Sequence, residues 1–466
     1  MFFVALGSTD EIGASCHFLK IGETGLILDA GADPEAEGTE SLPDLSIIRK
    51  NLRWYVDHAI VSHAHHDHVG ALPVLIREFP HVLVHMTSAT RDLLDILLPA
   101  SARLQRRRQR EGSSVHEPLF HEEELELYSY LYLTHDLGTD FDLTGIRGGD
   151  RITGRFFAAG HILGAAGLHL RFSEGGAERR LFYTSDTNMR PQSIMPGGEY
   201  PEEPVDLLIL ESTLGADPEA ELTTRKTEEK RFAEDLKRVL ARGGAVLIPV
   251  FALGRAQEIL ALIDSFKHRG ILPAETPVYT AGSMRAVADL YDKTRYSTPR
   301  LNPEFQVFGV EQRRLPRSEA MKLAALSEPG IFLLSSGMMF ERTLSNELAQ
   351  WMIERPENAI LLVGFAREDS PAERLIRAAA EGSDSPEVIL DRQIGAQPLR
   401  CEVQQYRFSG HSHRRDLIHL VEMLRPDKVV VVHGDEKARA WLADNMRFFY
   451  PHIEIFLPEL GVPIEL

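Results

Sequence analysis

A chain of 466 residues with a formal charge of −18, from 51 Lys+Arg against 69 Asp+Glu, is too acidic to coat itself in nucleic acid by general attraction. Its length exceeds what one hydrophobic core normally fills, so two domains are expected, with insertion of one into the other as an option. No apolar run is long enough to span a bilayer, "MFFVALGSTDEIG" does not read as a signal peptide, and the only two cysteines, Cys16 and Cys401, argue for buried thiols in a reducing compartment, hence a cytoplasmic protein.

In chain order, "CHFLKIG" and "GLILDAG" read as short strands joined across "ETG". "DHAIVSH" is a third strand, and it ends in a cluster of histidines. "VGALPVLIREF" has helical spacing, "VLVHM" is a strand, and "SATRDLLDILLPASARLQRRRQR" opens on a capping residue and runs helical. A second group of strands surrounds "GRFFAAGH", "GLHLRF", "RLFYTSD" and "DLLILES". From about residue 212 the pattern becomes a regular α/β alternation. Strands "AVLIPVF", "PVYTAG", "GIFLLSS" and "AILLVGF" are each followed by a helix, the signature of a parallel sheet with helical crossovers. The alternation ends near residue 395. "LRCEVQQYRFSGHSH" then returns to β-hairpin character, and "KVVVVHGD" ends a last strand in a histidine.

Histidines and carboxylates recur where apolar strands stop: His63, His65, Asp67 and His68 after "AIV", His161 after "FFAAG", Asp186 after "LFYTS", Glu211 after "LLIL", His411 after "YRFSG" and His433 after "VVVV". One such residue is usually a satisfied turn residue. Several at one sheet edge converge in space, because parallel strand ends lie together. Imidazole nitrogen and carboxylate oxygen suit Zn²⁺. Two ions about 3.5–4 Å apart suit in-line attack on a phosphate by a water of lowered pKa. Bound cations and a local basic strip can reverse the potential in one cleft, so the acidic balance leaves a nucleic-acid enzyme open.

"HAHHDH" resembles H-x-H-x-D-H, the signature of the metallo-β-lactamase fold, an αββα sandwich of the α/β class. The resemblance implies two zinc ions, one held by His63, His65 and His161, the other by Asp67, His68 and His433, with Asp186 bridging. Asp29 in "LILDAG" matches the aspartate that orients the ligand loop from behind. Glu211 in "ILESTLG", His411 in "RFSGHSH" and His433 in "VVVHGD" look like the three further motifs of the β-CASP nucleases, relatives of RNase J and of the pre-mRNA 3′-end endonuclease. On this resemblance residues 1–211 and 396–466 form the lactamase domain and 212–395 the inserted β-CASP domain. It implies a zinc-dependent ribonuclease of RNA processing or decay, cutting endonucleolytically or 5′→3′. Asp67, Glu211 and His411 carry the catalysis, His411 near the scissile phosphate with Glu211 behind it. Family members acting on RNA carry histidine at the position of His433, whereas the DNA-specific branch usually carries an aliphatic residue.

The chain departs from the family pattern at Leu214, where an aromatic residue is common, and at "MFERTL" after "SSGM", where glycines are usual. "SDTN" around Asp186 and "HSH" around His411 also differ from the usual "GDLG" and "HAD". Arg255, Ser335, Ser336 and His413 are candidate RNA phosphate contacts, with structural or surface hydrogen-bonding roles as their plainer readings. Arg103, Arg106, Arg107, Arg108 and Arg110 are either an RNA-guiding strip or a solvated helix face. His66 lies between ligands and is expected to point away from the metals, while His17, His85 and His169 sit in strand patterns and read most simply as structural. The alternatives are a DNA nuclease, a hydrolase of small esters or thioesters on the same metal centre, and a non-catalytic RNA-binding scaffold. RNA is the expected partner, no membrane is expected, and a homodimer is left open.

Overall fold

The computed structural model describes residues 1–466 other than 10, 52, 219–220, 365 and 382–385, and the chain divides into two compact units. The first comprises Met1–Pro191, Met195–Pro218 and His411–Leu466; the second comprises Gln192–Ile194 and Glu219–Gly410.

The first unit is built on two seven-stranded sheets. One runs, in spatial order, Ile464–Glu465, Phe2–Ala5, His17–Ile21, Thr24–Leu28, His58–Ile60, Leu83–Met86 and Tyr132–Thr134. The other runs Glu454–Phe456, Lys428–Val432, Leu207–Glu211, Ala177–Tyr183, Ala166–Glu174, Thr153–Ala158 and Asp140–Asp142. The strands "LLILE" and "KVVVV" are almost continuously apolar because both of their faces are covered. Leu207, Ile209, Val430 and Val432 point into the space between the sheets, where they meet Leu26, Leu28 and Ile60. The alternate residues Leu208, Leu210, Val429 and Val431 pack with Leu417, Leu420 and Leu442 of helices Arg414–Leu424 and Glu436–Phe449. Each such side chain contributes roughly 1.5–3 kcal/mol by leaving water. Helix Ser88–Arg110 packs on strand Tyr132–Thr134 of the first sheet, so helices flank the paired sheets in the αββα order. Its cap is Thr87, whose side chain accepts from the Thr90 amide, one residue before the serine that the sequence suggests.

What positions the polar residues is the parallel part of each sheet. Thr24–Leu28 runs parallel to His58–Ile60, with Leu28 opposite Ile60. Ala177–Tyr183, Leu207–Glu211 and Lys428–Val432 are mutually parallel, with Tyr183 opposite Ile209 and Glu211 opposite Val432. All five therefore stop at neighbouring points.

The second unit is a six-stranded, wholly parallel sheet in the order Arg313–Arg314, Val278–Thr280, Gly330–Leu334, Ala245–Pro249, Ala359–Leu362 and Glu402–Gln405. The four central strands follow the α/β alternation of the sequence. The two edges do not. Glu402–Gln405, expected in a hairpin, instead lies parallel to Ala359–Leu362, and the unit continues to Gly410, past the break at residue 395. An edge strand buries only part of its side chains, and "EVQQ" lacks the apolar run that marks a covered strand. Cys16 and Cys401 are buried and unpaired.

Candidate metal centre

Three strand ends leave extended geometry through a residue of positive φ: Asp29 at 59°, Ser185 at 50° and His433 at 53°. Non-glycine residues seldom take this left-handed conformation. Its concentration here bends the backbone where side chains must turn inward, a cost of about 1–3 kcal/mol each that the surrounding packing sustains. Gly31 serves the same end, since a Cβ there would lie 1.6 Å from the Asp67 carbonyl oxygen and push the histidine loop away.

Asp29 ties the loop down. One carboxylate oxygen accepts the Ser62 amide at 2.7 Å; the other accepts the Ser62 hydroxyl at 2.8 Å, the Tyr183 hydroxyl at 2.7 Å and His68 Nδ1 at 2.9 Å. With Nδ1 donating, the lone pair of His68 is at Nε2, which lies 3.2 Å from His433 Nε2 and 3.5 Å from Asp186 Oδ2. His63 is oriented in the same way by the Ser62 hydroxyl, 3.1 Å from its Nδ1. His63 Nε2 then lies 3.5 Å from Asp186 Oδ2. His161 Nε2 is 3.1 Å from His65 Nδ1 and 3.7 Å from Asp186 Oδ2. His433 Nε2 is 3.5 Å from Asp67 Oδ2, while its Nδ1 lies 3.1 Å from the Thr213 hydroxyl and 3.0 Å from Asp186 Oδ1.

These atoms fall into groups able to hold a cation: His63, His65, His161 and Asp186 in one, Asp67, His68 and His433 in a second. Asp186, Glu211 and His433 form a third, overlapping group. Two buried atoms test the fit. His63 Nε2 makes no hydrogen bond, and Asp186 Oδ1, though 3.0 Å from His433 Nδ1, makes none of good geometry. An unsatisfied buried polar atom ordinarily costs about 1–3 kcal/mol, and two aimed into one space are what a cation satisfies. The protonation pattern agrees. Burial raises Asp67 and Asp186, but the surrounding imidazoles pull both below the usual carboxylate range. Burial and the His68 charge push His63 down, toward the neutral form that ligates. His68 is buried too, yet Asp186 and Asp29 push it up, so the same two carboxylates favour a positive charge at that point.

Beside the cluster sits a second arrangement. Glu211, fully buried, accepts the Thr187 amide at 2.8 Å and the Thr213 amide at 3.2 Å. His411 Nδ1 lies 3.2 Å from both Glu211 oxygens, and its ring is 4.5 Å from that of His161. Burial lowers the His411 pKa, but the charge and hydrogen bond of Glu211 outweigh it and raise the imidazole above its ordinary value.

The structure thus brings together Asp29, His63, His65, Asp67, His68, His161, Asp186, Glu211, His411 and His433. His66 is exposed and belongs to none of the ligand groups found among the described residues. His413 is the N-cap residue of helix Arg414–Leu424. In the second unit Arg255 bonds Gln192 at 3.1 Å, and Ser336 Oγ accepts the Phe340 amide at 3.2 Å, directly after Ser335. Arg103 and Arg106 pair with Glu122, Arg107 with Glu111 and Arg108 with Glu37, which favours the solvated-face reading of that run. Sequence reasoning passed over Ser62, Tyr183, Ser185, Thr187 and Thr213. Each lies within three residues of a ligand or of Glu211, and that adjacency is the one signal available.

Comparison with known proteins agrees with this geometry. The metallo-beta-lactamase superfamily matches residues 9–198, the Beta-Casp domain residues 256–375, and the Zn-dependent metallo-hydrolase RNA specificity domain residues 396–458. Transcription termination factor FttA of Methanothermobacter thermautotrophicus is 29% identical over 95% of this chain and 68% of its own length. An RNase J-like protein of Methanocaldococcus jannaschii is 28% identical over 92% of this chain and 91% of its own. Cleavage and polyadenylation specificity factor 73 of Drosophila melanogaster is 29% identical over 92% of this chain and 59% of its own. A crystal structure of a protein of unknown function from Enterococcus faecalis V583 matches over 100% of both chains with a TM-score of 0.53 at 15% identity, a likeness of fold alone. No helix among the described residues is long and apolar enough to cross a membrane.

Proposed function

We propose that this chain, which belongs to the β-CASP branch of the metallo-β-lactamase superfamily, is a ribonuclease that hydrolyses RNA phosphodiester bonds at a centre of two zinc ions. The observation that carries the reading is the pair of adjacent ligand groups, with Asp186 of the first 3.5 Å from His68 of the second and His411 and Glu211 beside them. His63, His65 and His161 would hold one ion, Asp67, His68 and His433 the other, and Asp186 would touch both. When bound, such ions lower the pKa of a water and neutralise charge on the phosphoryl oxygens.

The rest is done by the chain. Asp29 and Ser62 fix the tautomers of His68 and His63, so that Nε2 of each faces inward. Glu211 holds His411 by Nδ1 and stabilises its protonated form, so that His411 would deliver a proton to the departing oxygen. Asp67, kept ionised by the imidazoles around it, would accept a proton from the attacking side. The RNA specificity domain and the ribonuclease names among the relatives support RNA over DNA or a small ester. The buried, unpaired Cys16 and Cys401 support a reducing, cytoplasmic setting.

Matched RNA and DNA oligonucleotides and a chromogenic ester, offered to protein of measured zinc content, test the reading. RNA cleavage that scales with zinc, with DNA and ester turned over far more slowly, is the expected result. Ester or DNA turnover exceeding RNA turnover would overturn it.

A further inference from the structure

In the second unit, residues 267–317 carry nine Lys and Arg against five Asp and Glu, in a chain whose overall charge is −18. The excess is concentrated beside exposed aromatic rings. The Arg285 guanidinium lies 4.9 Å above the ring of Phe308, and that of Arg295 lies 4.6 Å above Tyr296. Phe308 is 46% exposed and Tyr296 66%. Arg313 and Arg314 form the exposed edge strand of the parallel sheet, and Arg317 follows it.

The patch is held in shape. The amides of Val307 and Phe308 donate to Asp292 at 2.7 and 2.8 Å, which lays their loop along helix Met284–Lys293. Gln312 donates to the Val307 and Val310 carbonyls and accepts from Arg285 at its own. Tyr296 is pinned by its hydroxyl to Glu304 at 3.2 Å. Arg285, Arg295, Arg313, Arg314 and Arg317 nevertheless form no ion pair among the described residues, while Asp289, on the helix of Arg285, pairs with Lys293. The arginine run of helix Ser88–Arg110 shows the contrast, since four of its guanidiniums are neutralised by carboxylates.

We propose that this patch binds single-stranded RNA, with Arg285, Arg313, Arg314 and Arg317 on phosphates and the outer faces of Phe308 and Tyr296 stacking bases; the choice of RNA rests on the ribonuclease reading above. Unpaired cations tracking a backbone, interleaved with rigid aromatic platforms, are the means by which proteins hold single strands without reading sequence. The edge strand fits that use, because among the described residues no strand continues the sheet beyond Arg313–Arg314, and its two exposed side chains, on opposite faces of the sheet, flank an open border.

The test compares wild type with Arg285→Ala/Arg313→Ala/Arg314→Ala and, separately, Phe308→Ala. Substrates are unstructured RNAs of about 20 and about 5 nucleotides, the longer being long enough to occupy a second site. For the longer RNA kcat/KM should fall on the order of tenfold through KM, and the slope of log affinity against log salt should shrink by about 2 in the triple variant. For the shorter RNA both should stay within about twofold. Phe308→Ala should lower long-RNA affinity on the order of tenfold with the salt slope unchanged. Equal losses on both RNAs, or no loss in variants whose melting temperature is unchanged, would overturn the proposal. Wild type that binds the long RNA through this patch by fluorescence anisotropy yet cleaves none of it would instead remove the ribonuclease reading and leave the patch standing.

Discussion

The first unit contains two crowds of histidine, and they are built on opposite rules. In one, His58 Nδ1 meets His85 Nε2 at 3.0 Å, His85 Nδ1 meets His135 Nε2 at 2.9 Å, and His58 Nε2 meets the Thr144 carbonyl at 3.3 Å. Each of these nitrogens has a partner, and among the described residues no carboxylate hydrogen-bonds to the three rings. In the other, His63 Nε2 is left without a partner, ring nitrogens face one another, and Asp67 and Asp186 stand among them. Histidine density alone therefore does not define a metal centre. Unsatisfied nitrogens converging on shared carboxylates do, because only a cation relieves that arrangement.

The comparison breaks most sharply at Asp186. Asp186→Asn keeps the shape but removes the charge of the first ligand group, which also lies 3.5 Å from His68 Nε2 and 3.0 Å from His433 Nδ1 of the second, and RNA cleavage should fall on the order of 10³-fold or more. Elemental analysis should show lost zinc, and activity at the wild-type level with full metal content would end the metal reading. Asp29→Asn should act less strongly. Asp29 touches no ion in this reading and works through His68 and the Ser62 loop, so zinc affinity or activity should drop about 10- to 100-fold. A zinc titration monitored by a competing chelator measures it.

Much of the centre was legible because its residues lie where apolar strands stop, and spacing within "HAHHDH" survives as local geometry. His161, Asp186, Glu211, His411 and His433 were legible for the same reason, helped by the family pattern. The hydroxyls were not. Tyr183 is 154 positions from Asp29, and Ser185 Oγ reaches Ser62 Oγ across 123. No local pattern announces such a partner, since serine, threonine and tyrosine also end strands for many other reasons. The edge strand Arg313–Arg314 escaped, and Glu402–Gln405 was read as hairpin rather than parallel, because an edge needs no continuous apolar run. The carboxylates neutralising Arg103–Arg108 lie partly on other segments, so charge counting along one helix could not find them.

The histidine chain supplies the control. His85→Leu leaves His58 Nδ1 and His135 Nε2 unpaired, one of them deeply buried, and should cost about 1–3 kcal/mol in denaturant unfolding while zinc content stays at the wild-type level. Loss of zinc in this variant would erase the distinction between the two crowds.

The smallest expected effect is in pH. Burial, then the neighbouring His58 and His135, push His85 down to about 3 from its ordinary 6.5. His58 and His135 are lowered as well, with Asp57, Asp142 and Asp136 as the nearby charges that oppose the shift. Between pH 6.5 and 3 the unfolded chain holds a proton on His85 that the folded chain refuses, so stability rises with pH through that window and is lost as pH falls. From pH 7 to 5.5 the contribution of His85 should come to about 1 kcal/mol. It should be absent from His85→Leu, whose unfolding free energy would fall less steeply than wild type over the same range. Parallel slopes in the two proteins would mean that His85 takes up protons in the fold as readily as out of it, and its hydrogen bonds would then have to tolerate an imidazolium.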